Sequence, residues 1–475
     1  MSALHVQNEI GRLKKALLHC PGPETRNYPD GQFNRVFTLR PSSSSFDLDK
    51  ALREHHAYSA MLEHEGVEIL YLENLLTEAL DATEQARRSF IDSYISECGA
   101  RGIELESAIR EYLEHIEGSR DLVQAAVNGV RYSQVFDTNK EVFSLSKLTG
   151  DAYSPDDLLI APLNTMWFTR DPASVIGEGV TLNHMYWPER NREVIAYKTI
   201  FNYHPDFRET PQFFKHESTY HIEGGDLHNL NSENVAVGIS QRTEPAAIDT
   251  LANNLLWDEN STIESVWAIE VPYDDLCIHL DTYFARVNYE TFLIDRELLD
   301  QARVYCITRG RSERTTRARH VEGGLKEALG LALGLSSPQF IPCGGSNPGA
   351  AEVERTNNAI STLCLEPGKV CVYEENTETN KALEQAGIEL VPISIFELTN
   401  GFGGPNCLCL PLVRASYHGN GSKHKGASQA RPAHAGGVRG TCRRLQRNGM
   451  PLGKGPLCHP PVDTAQDRFE IQSAV

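Results

Sequence analysis

Four short clusters in this 475-residue chain hold reactive or ionisable side chains, three of them beside glycine or proline. They are Phe168-Thr169-Arg170-Asp171-Pro172, Ile222-Glu223-Gly224-Gly225-Asp226, Ile278-His279-Leu280-Asp281 and Gly403-Gly404-Pro405-Asn406-Cys407. Each reads as a strand-ending context, where side chains face a cleft rather than a core. Singly, each also has an ordinary reading. Asp171 before a proline is a turn or cap residue, and Glu223-Gly-Gly-Asp226 is a turn. His279 and Asp281 share a strand face, where a buried histidine is commonly structural, and Cys407 is a packed thiol.

The combination points further, because a cysteine, a histidine and several carboxylates form the set that hydrolysis of a guanidinium needs. That cation is planar and resonance-stabilised, so it resists attack until carboxylates hold it in a water-poor pocket against a strong nucleophile. A thiolate is such a nucleophile, and the bound cation would itself lower the thiol pKa. His279, Asp281, Glu223, Cys407 and Cys409 are also potential metal ligands. However, no Cys-x-x-Cys pair or His-Glu-x-x-His framework accompanies them, so no metal is expected.

Composition narrows the classes of function. Hydrophobic residues make up 40% and charged residues 23% of the chain, ordinary for a globular protein. There is no apolar run of the roughly 18 residues that a membrane span requires. The start, Met-Ser-Ala-Leu-His-Val-Gln-Asn-Glu, lacks the basic and apolar regions of a secretory signal, so a cytoplasmic address is expected. Eleven cysteines are too dilute for a disulfide framework. A net charge of -19 argues against nucleic acid as partner and fits a small cationic substrate.

The elements that would position these residues read as mixed α/β. Leu13 to Cys20 is a strand, Leu52 to Glu65 a helix and Val67 to Leu72 a second strand. From Thr77 to about Val135 the pattern is continuously helical, with apolar Leu105, Ile109, Leu113 and Ile116 on one face, as in an inserted bundle. Beyond Leu158, strands at 180–182, 235–239, 266–269 and 370–373 alternate with helices at 246–256, 323–333 and 379–386. No strict sequence repeat is evident. Composition after Arg414 predicts a disordered basic tail over 415–475.

At the four clusters the sequence resembles the arginine deiminase family, whose members carry Phe-Thr-Arg-Asp-Pro, Glu-Gly-Gly-Asp, His-x-Asp and Gly-Gly-x-x-Cys in this order. The likeness runs to about Arg414. It includes Leu17-Leu18-His19-x-Pro21-Gly22, Leu182-Asn183-His184-Met185-Tyr186 and Ile341-Pro342-Cys343-Gly344-Gly345. It implies a five-bladed α/β propeller formed by residues 1–74 and 150–414, with a helical domain inserted at 75–149.

The resemblance also implies roles. Cys407 would attack the guanidinium carbon, His279 would protonate ammonia and then activate water, and Glu223 would orient His279. Asp171 and Asp281 would hold the guanidinium nitrogens. Phe168 and Asn164 would line the substrate, while Arg190 and Arg242 would pair with its α-carboxylate and so favour L-arginine over agmatine. No cofactor is implied, and a homo-oligomer is expected.

Three departures from the family pattern stand out. Phe402 replaces an arginine, Thr165 takes the place of an asparagine that here stands one position early as Asn164, and Arg40-Pro41-Ser42-Ser43-Ser44-Ser45 replaces a more apolar lid. On a strand, a one-residue offset reverses side-chain facing. These changes leave two alternatives open: a non-catalytic arginine-binding protein on the same fold, or another guanidine hydrolase or amidinotransferase.

Overall fold

In the computed structural model, the described residues are 3–25, 46–100, 102–137, 155–274, 277–401 and 403–416. The chain divides into two units, Met1–Lys423 and His424–Val475. The described residues belong to the first. Phe402, Arg40–Ser45 and the tail from 417 onward lie outside them.

One topological unit recurs along the chain: an antiparallel strand pair, then a crossover to a third strand parallel to the second. In its first occurrence, β1 (Leu13–Leu18) crosses through helix Leu48–His64 to parallel β2 (Glu68–Tyr71). The Asp47 side chain starts that helix by accepting from the Lys50 amide. Four helices follow: Leu72–Ala82, Glu84–Glu97, Ile103–Glu114 and Ser119–Asn128. The expected continuous helix is therefore broken, and the first starts at Leu72. Gly102 and Gly129, both at positive φ, flank two of these segments, where a glycine avoids the steric cost of that backbone. After these helices comes β3 (Val130–Arg131), paired antiparallel with β4 (Leu158–Ile160).

The unit then repeats. Strands β5 (Ala173–Ile176) and β6 (Gly179–Leu182) pair antiparallel, and helix Pro188–Tyr203 leads to β7 (Gln212–Phe214), parallel to β6. Next, β8 (Leu227–Asn231) and β9 (Asn234–Ile239) are followed by helix Pro245–Trp257 and β10 (Ser265–Glu270). Both helices begin with proline, whose fixed φ and missing N–H suit a first turn. Strands β11 (Phe284–Arg286) and β12 (Thr291–Ile294) start a further unit. Before it closes, the hairpin β13 (Val304–Arg309) and β14 (Thr316–His320) extends the preceding sheet, and then β15 (Gln339–Pro342) joins β12. Strands β16 (Leu363–Glu366) and β17 (Lys369–Tyr373), helix Thr377–Gln385 and β18 (Glu389–Ile393) form the last. The first unit gains its own antiparallel partner only at the far end of the chain, where β19 (Leu410–Arg414) pairs with β1.

The architecture is thus α/β, with four three-stranded sheets of this pattern and one extended to five strands. Helix Pro188–Tyr203 carries no apolar stripe, yet residues on all its sides are buried, including Arg192, Glu193, Tyr197 and Phe201. Its apolar residues join those of helices Leu72–Ala82 and Glu84–Glu97 in one core, so it was not readable from periodicity. Among the described residues, no helix is long and apolar enough to cross a membrane. The nine described cysteines are free thiols.

Candidate active site

The four clusters do not end strands; each leads into the first strand of a unit. Asp171 precedes β5, Glu223 precedes β8, His279 and Asp281 precede β11, and Cys407 precedes β19. The lead-in to β8 includes the single 3-10 turn Gly224–Asp226, and that to β11 the turn Leu280–Thr282. His279 and Asp281 therefore do not share a strand face, as alternation had suggested. An extended His279 followed by a tight turn brings both to the same cluster.

All five residues are buried. His279 Nε2 lies 2.7 Å from Glu223 Oε2, and its Nδ1 lies 3.9 Å from Asp171 Oδ1. Glu223 Oε1 accepts from the Tyr186 amide at 2.9 Å and faces Arg242 Nη1 at 3.8 Å. The Cys407 thiol lies 3.5 Å from Asp281 Oδ2, which also accepts from Asn406 Nδ2 at 3.0 Å. The Arg170 amide donates to the Cys407 carbonyl at 3.3 Å, tying the first cluster to the last. One oxygen of each aspartate, Asp171 Oδ1 and Asp281 Oδ1, is buried without a hydrogen-bond partner.

Local sequence explains this convergence. A Cβ at Gly225 would fall 2.6 Å from His279 Nδ1, so the glycine admits the imidazole against the backbone. Asp226 accepts from the Leu280 amide at 2.8 Å and from the Ser240 and Thr243 hydroxyls at 2.6 Å each. It fixes the turn that follows His279 and is held by neighbours of its own. Asn183 donates to the Asp171 carbonyl at 2.7 Å. The Arg170 side chain leaves the site to pair with Glu9 at 3.1 Å.

Burial works against a histidine cation, but the Asp171 charge and the Glu223 hydrogen bond outweigh it and raise the His279 pKa to about 9. Burial would raise Glu223, yet Arg242, His279 and Arg190 hold it at about 2. Burial, then the Asp281 and Asp171 charges, push the Cys407 thiol well above its ordinary value. At neutral pH the site therefore combines a protonated imidazole with a thiol that needs a nearby cation to ionise. Asp171, Glu223 and His279 also bring one ligand atom each within 4.8 Å of one another, a grouping able to hold a metal ion. Any cation there would compete with Arg190, 2.9 Å from Asp171, and with Arg242, 3.8 Å from Glu223.

Of the expected substrate-binding residues, Arg190, Arg242 and Phe168 border this cluster. Arg190 Nη1 donates to Asp171 Oδ2 at 2.9 Å, while its Nε and Nη2 face the buried Glu193, the closest contact being 2.9 Å. Its Nη2 also approaches the Phe168 carbonyl at 3.4 Å, and the Phe168 ring packs on Gly403. Arg242 sits over the rings of Tyr186 and Trp187, at 5.2 Å and 5.6 Å from their centroids. Asn164 is buried, with its amide nitrogen unpartnered. It lies in a turn rather than a strand, so the facing argument from alternation does not apply to it. Thr165 donates to Glu193 and joins the Arg190 network.

Glu193, Tyr186 and Ser361 join the site without having been expected from the sequence, whereas Thr165, noted as the replacement of an asparagine, enters through Glu193. Tyr186 lay within the quoted Leu-Asn-His-Met-Tyr segment, and Glu193 lies three residues beyond Arg190, the spacing of an intrahelical ion pair. Ser361 had no such signal.

A family model described as arginine deiminase matches residues 43–414. The chain is 39% identical over 416 residues to an arginine deiminase of Streptococcus agalactiae, covering 86% of this chain and 98% of the relative. It is 36% identical over 416 residues to one of Treponema denticola, covering 87% and 99%. Among solved structures, a DDAH from Pseudomonas aeruginosa complexed with citrulline is similar at 12% identity and a TM-score of 0.46, covering 84% of this chain and 99% of its own.

Proposed function

Because the chain belongs to the arginine deiminase family, we propose that the buried cluster around Cys407 is where L-arginine and water are converted to L-citrulline and ammonia. The observation that carries this reading is the pair of unpartnered buried oxygens, Asp171 Oδ1 and Asp281 Oδ1. Two acceptors of that kind beside a thiol suit the N–H groups of a guanidinium, and few other ligands supply both the charge and the donors.

In this reading the bound cation offsets the two aspartates that keep Cys407 protonated; the thiol releases its proton to solvent as substrate binds, regains one after product leaves, and in between stands as a thiolate against the guanidinium carbon. A C–S bond forms; protonated His279 gives its proton to one nitrogen, and that nitrogen leaves as ammonia. The product is a thiouronium on Cys407. His279, now neutral, takes a proton from water as the hydroxyl adds to the same carbon. The adduct collapses as the C–S pair returns to sulfur. The hydroxyl proton is released, ammonia takes it up as ammonium, and citrulline departs.

Glu223, ionised and 2.7 Å from His279 Nε2, supports the imidazolium through both steps. Arg242 and Arg190 are assigned to the substrate carboxylate, with Phe168 and Asn164 along its side. For Asp171 to take the guanidinium, Arg190 must share or release it, and Glu193 remains its partner. The same reading treats the five sheets as the blades of a five-bladed propeller made of 1–74 and 150–414, with 75–149 inserted. A homo-oligomer and a cytoplasmic address accompany it.

The test is citrulline and ammonia release from L-arginine by purified protein, beside Cys407→Ala and with agmatine as second substrate. Turnover that vanishes in C407A and is absent with agmatine is the expected result. Undiminished turnover in C407A would remove the cysteine mechanism. Arginine raising the melting temperature without turnover would mean a binding protein.

A further inference from the structure

Four of the five units contribute a reactive group from the segment that leads into their first strand: Asp171, Glu223, the pair His279 and Asp281, and Cys407. The remaining unit begins at β16, and two residues before it stands Ser361. Its side chain is fully buried. Its Oγ lies 3.3 Å from Cys407 Sγ and 3.5 Å from Asp281 Oδ2.

Backbone contacts fix this hydroxyl relative to the thiol. The Asn406 amide donates to the Ser361 carbonyl at 3.1 Å, and the Ser361 amide donates to Asn358 at 3.2 Å across a turn in which Asn358 has positive φ. A Cβ on Gly404 would fall 2.7 Å from that of Ser361, so the two segments are in direct contact. The serine is held to the cysteine loop at both main chain and side chain.

We infer that Ser361 is a hydroxyl donor to the Cys407 sulfur, acting chiefly when the thiolate leaves citrulline. This rests on Cys407 being the nucleophile. In the first half of the reaction, the substrate cation offsets the sulfur charge. In the second half, the adduct after water addition is neutral, and the departing sulfur takes the C–S electron pair beside Asp281 while the recharged His279 is paired with Glu223. The Ser361 O–H is then the donor within reach. While the sulfur is bonded to carbon, rotation about Cβ–Oγ turns the same proton toward Asp281, so no heavy atom has to move.

The experiment compares Ser361→Ala, Ser361→Gly and Ser361→Thr with wild type and C407A. Alkylation of Cys407 by iodoacetamide is followed against pH by peptide mass spectrometry, and acid-quenched turnovers are weighed for the arginine-derived adduct. S361A and S361G should show about tenfold less thiolate at a given pH, the loss of one hydrogen bond to a charged group. They should also accumulate the adduct, whereas S361T, which keeps the hydroxyl, behaves as wild type. Melting temperatures separate unfolding from chemistry, and the glycine variant serves if alanine does not fold. Wild-type alkylation profiles and no adduct in a folded S361A or S361G would overturn the inference. Turnover by C407A, or no adduct in any variant capable of turnover, would instead remove the nucleophile on which it rests.

Discussion

Replacing Asp281 by asparagine should make the Cys407 thiol more acidic while making the enzyme worse. Asp281 Oδ2 lies 3.5 Å from the sulfur, and its charge is among the causes that hold the thiol up, after burial. At that distance, two unit charges in an effective dielectric of about 20 repel by about 5 kcal/mol, or roughly 3 pKa units. Part of this is already spread onto Asn406, whose amide donates to the same oxygen at 3.0 Å. A fall of about 1 to 3 units is therefore expected for Asp281→Asn. Alkylation at pH 8, resolved by peptide so that Cys407 is read alone, should accelerate at least about tenfold. Turnover should move the other way, because the variant loses a charged acceptor for the guanidinium; kcat/KM should fall about a hundredfold. An unchanged or slower alkylation in a folded D281N would refute the claim that Asp281 raises the thiol, and with it the need for a substrate cation to ionise Cys407.

Glu223→Gln should lower the His279 pKa from about 9 toward its ordinary value, by about 1 to 2 units for a charged hydrogen bond. NMR titration of labelled histidines reads this directly, the His279 signal being the one lost in His279→Asn. Since the folded pKa is raised, the stability it contributes is fully present below about pH 6.5 and is lost as pH rises through about 9; 2.5 units correspond to about 3 kcal/mol. Denaturant titrations at the two ends of that window should show a smaller pH-dependent loss in H279N than in wild type. Glu193→Gln strips the buried Arg190 of one carboxylate partner and should cost about 3 kcal/mol of stability. The same variant should raise KM for L-arginine by loosening Arg190, and a melting temperature equal to that of wild type would contradict it.

Much of the site was legible because its chemistry demands rare residue types in glycine-rich settings, as at Glu223-Gly-Gly-Asp226 and Cys407. The roles proposed for Arg190 and Arg242 come from resemblance alone, since an isolated arginine in a polar segment carries no signal. Ser361 escaped for the same reason, and Thr165 stood out only as the replacement of an asparagine: serine is common, and only the approach of its Oγ to Sγ singles Ser361 out. Strands such as β9 and β10 declared themselves as apolar runs of the expected length. The recurrence of the strand unit did not, because the five copies share hydrogen-bond pattern and direction but little sequence. Helix Pro188–Tyr203 was invisible to periodicity because its burial on every side erases the amphipathic contrast that such reading relies on.

The pairing of β1 with β19 joins Leu13 to Arg414, and that pairing sets an order in time. During synthesis the chain can lay down Asp171, Glu223, His279 and Asp281 beside sheets whose strands all precede β19, after helices Leu72–Ala82 to Ser119–Asn128 have emerged. The thiol arrives just ahead of the last strand to find a partner, and that partner is the first strand made. Translation must therefore pass Cys407 before the five clustered side chains can meet, and an amino-terminal fragment that ends short of it lacks the thiol.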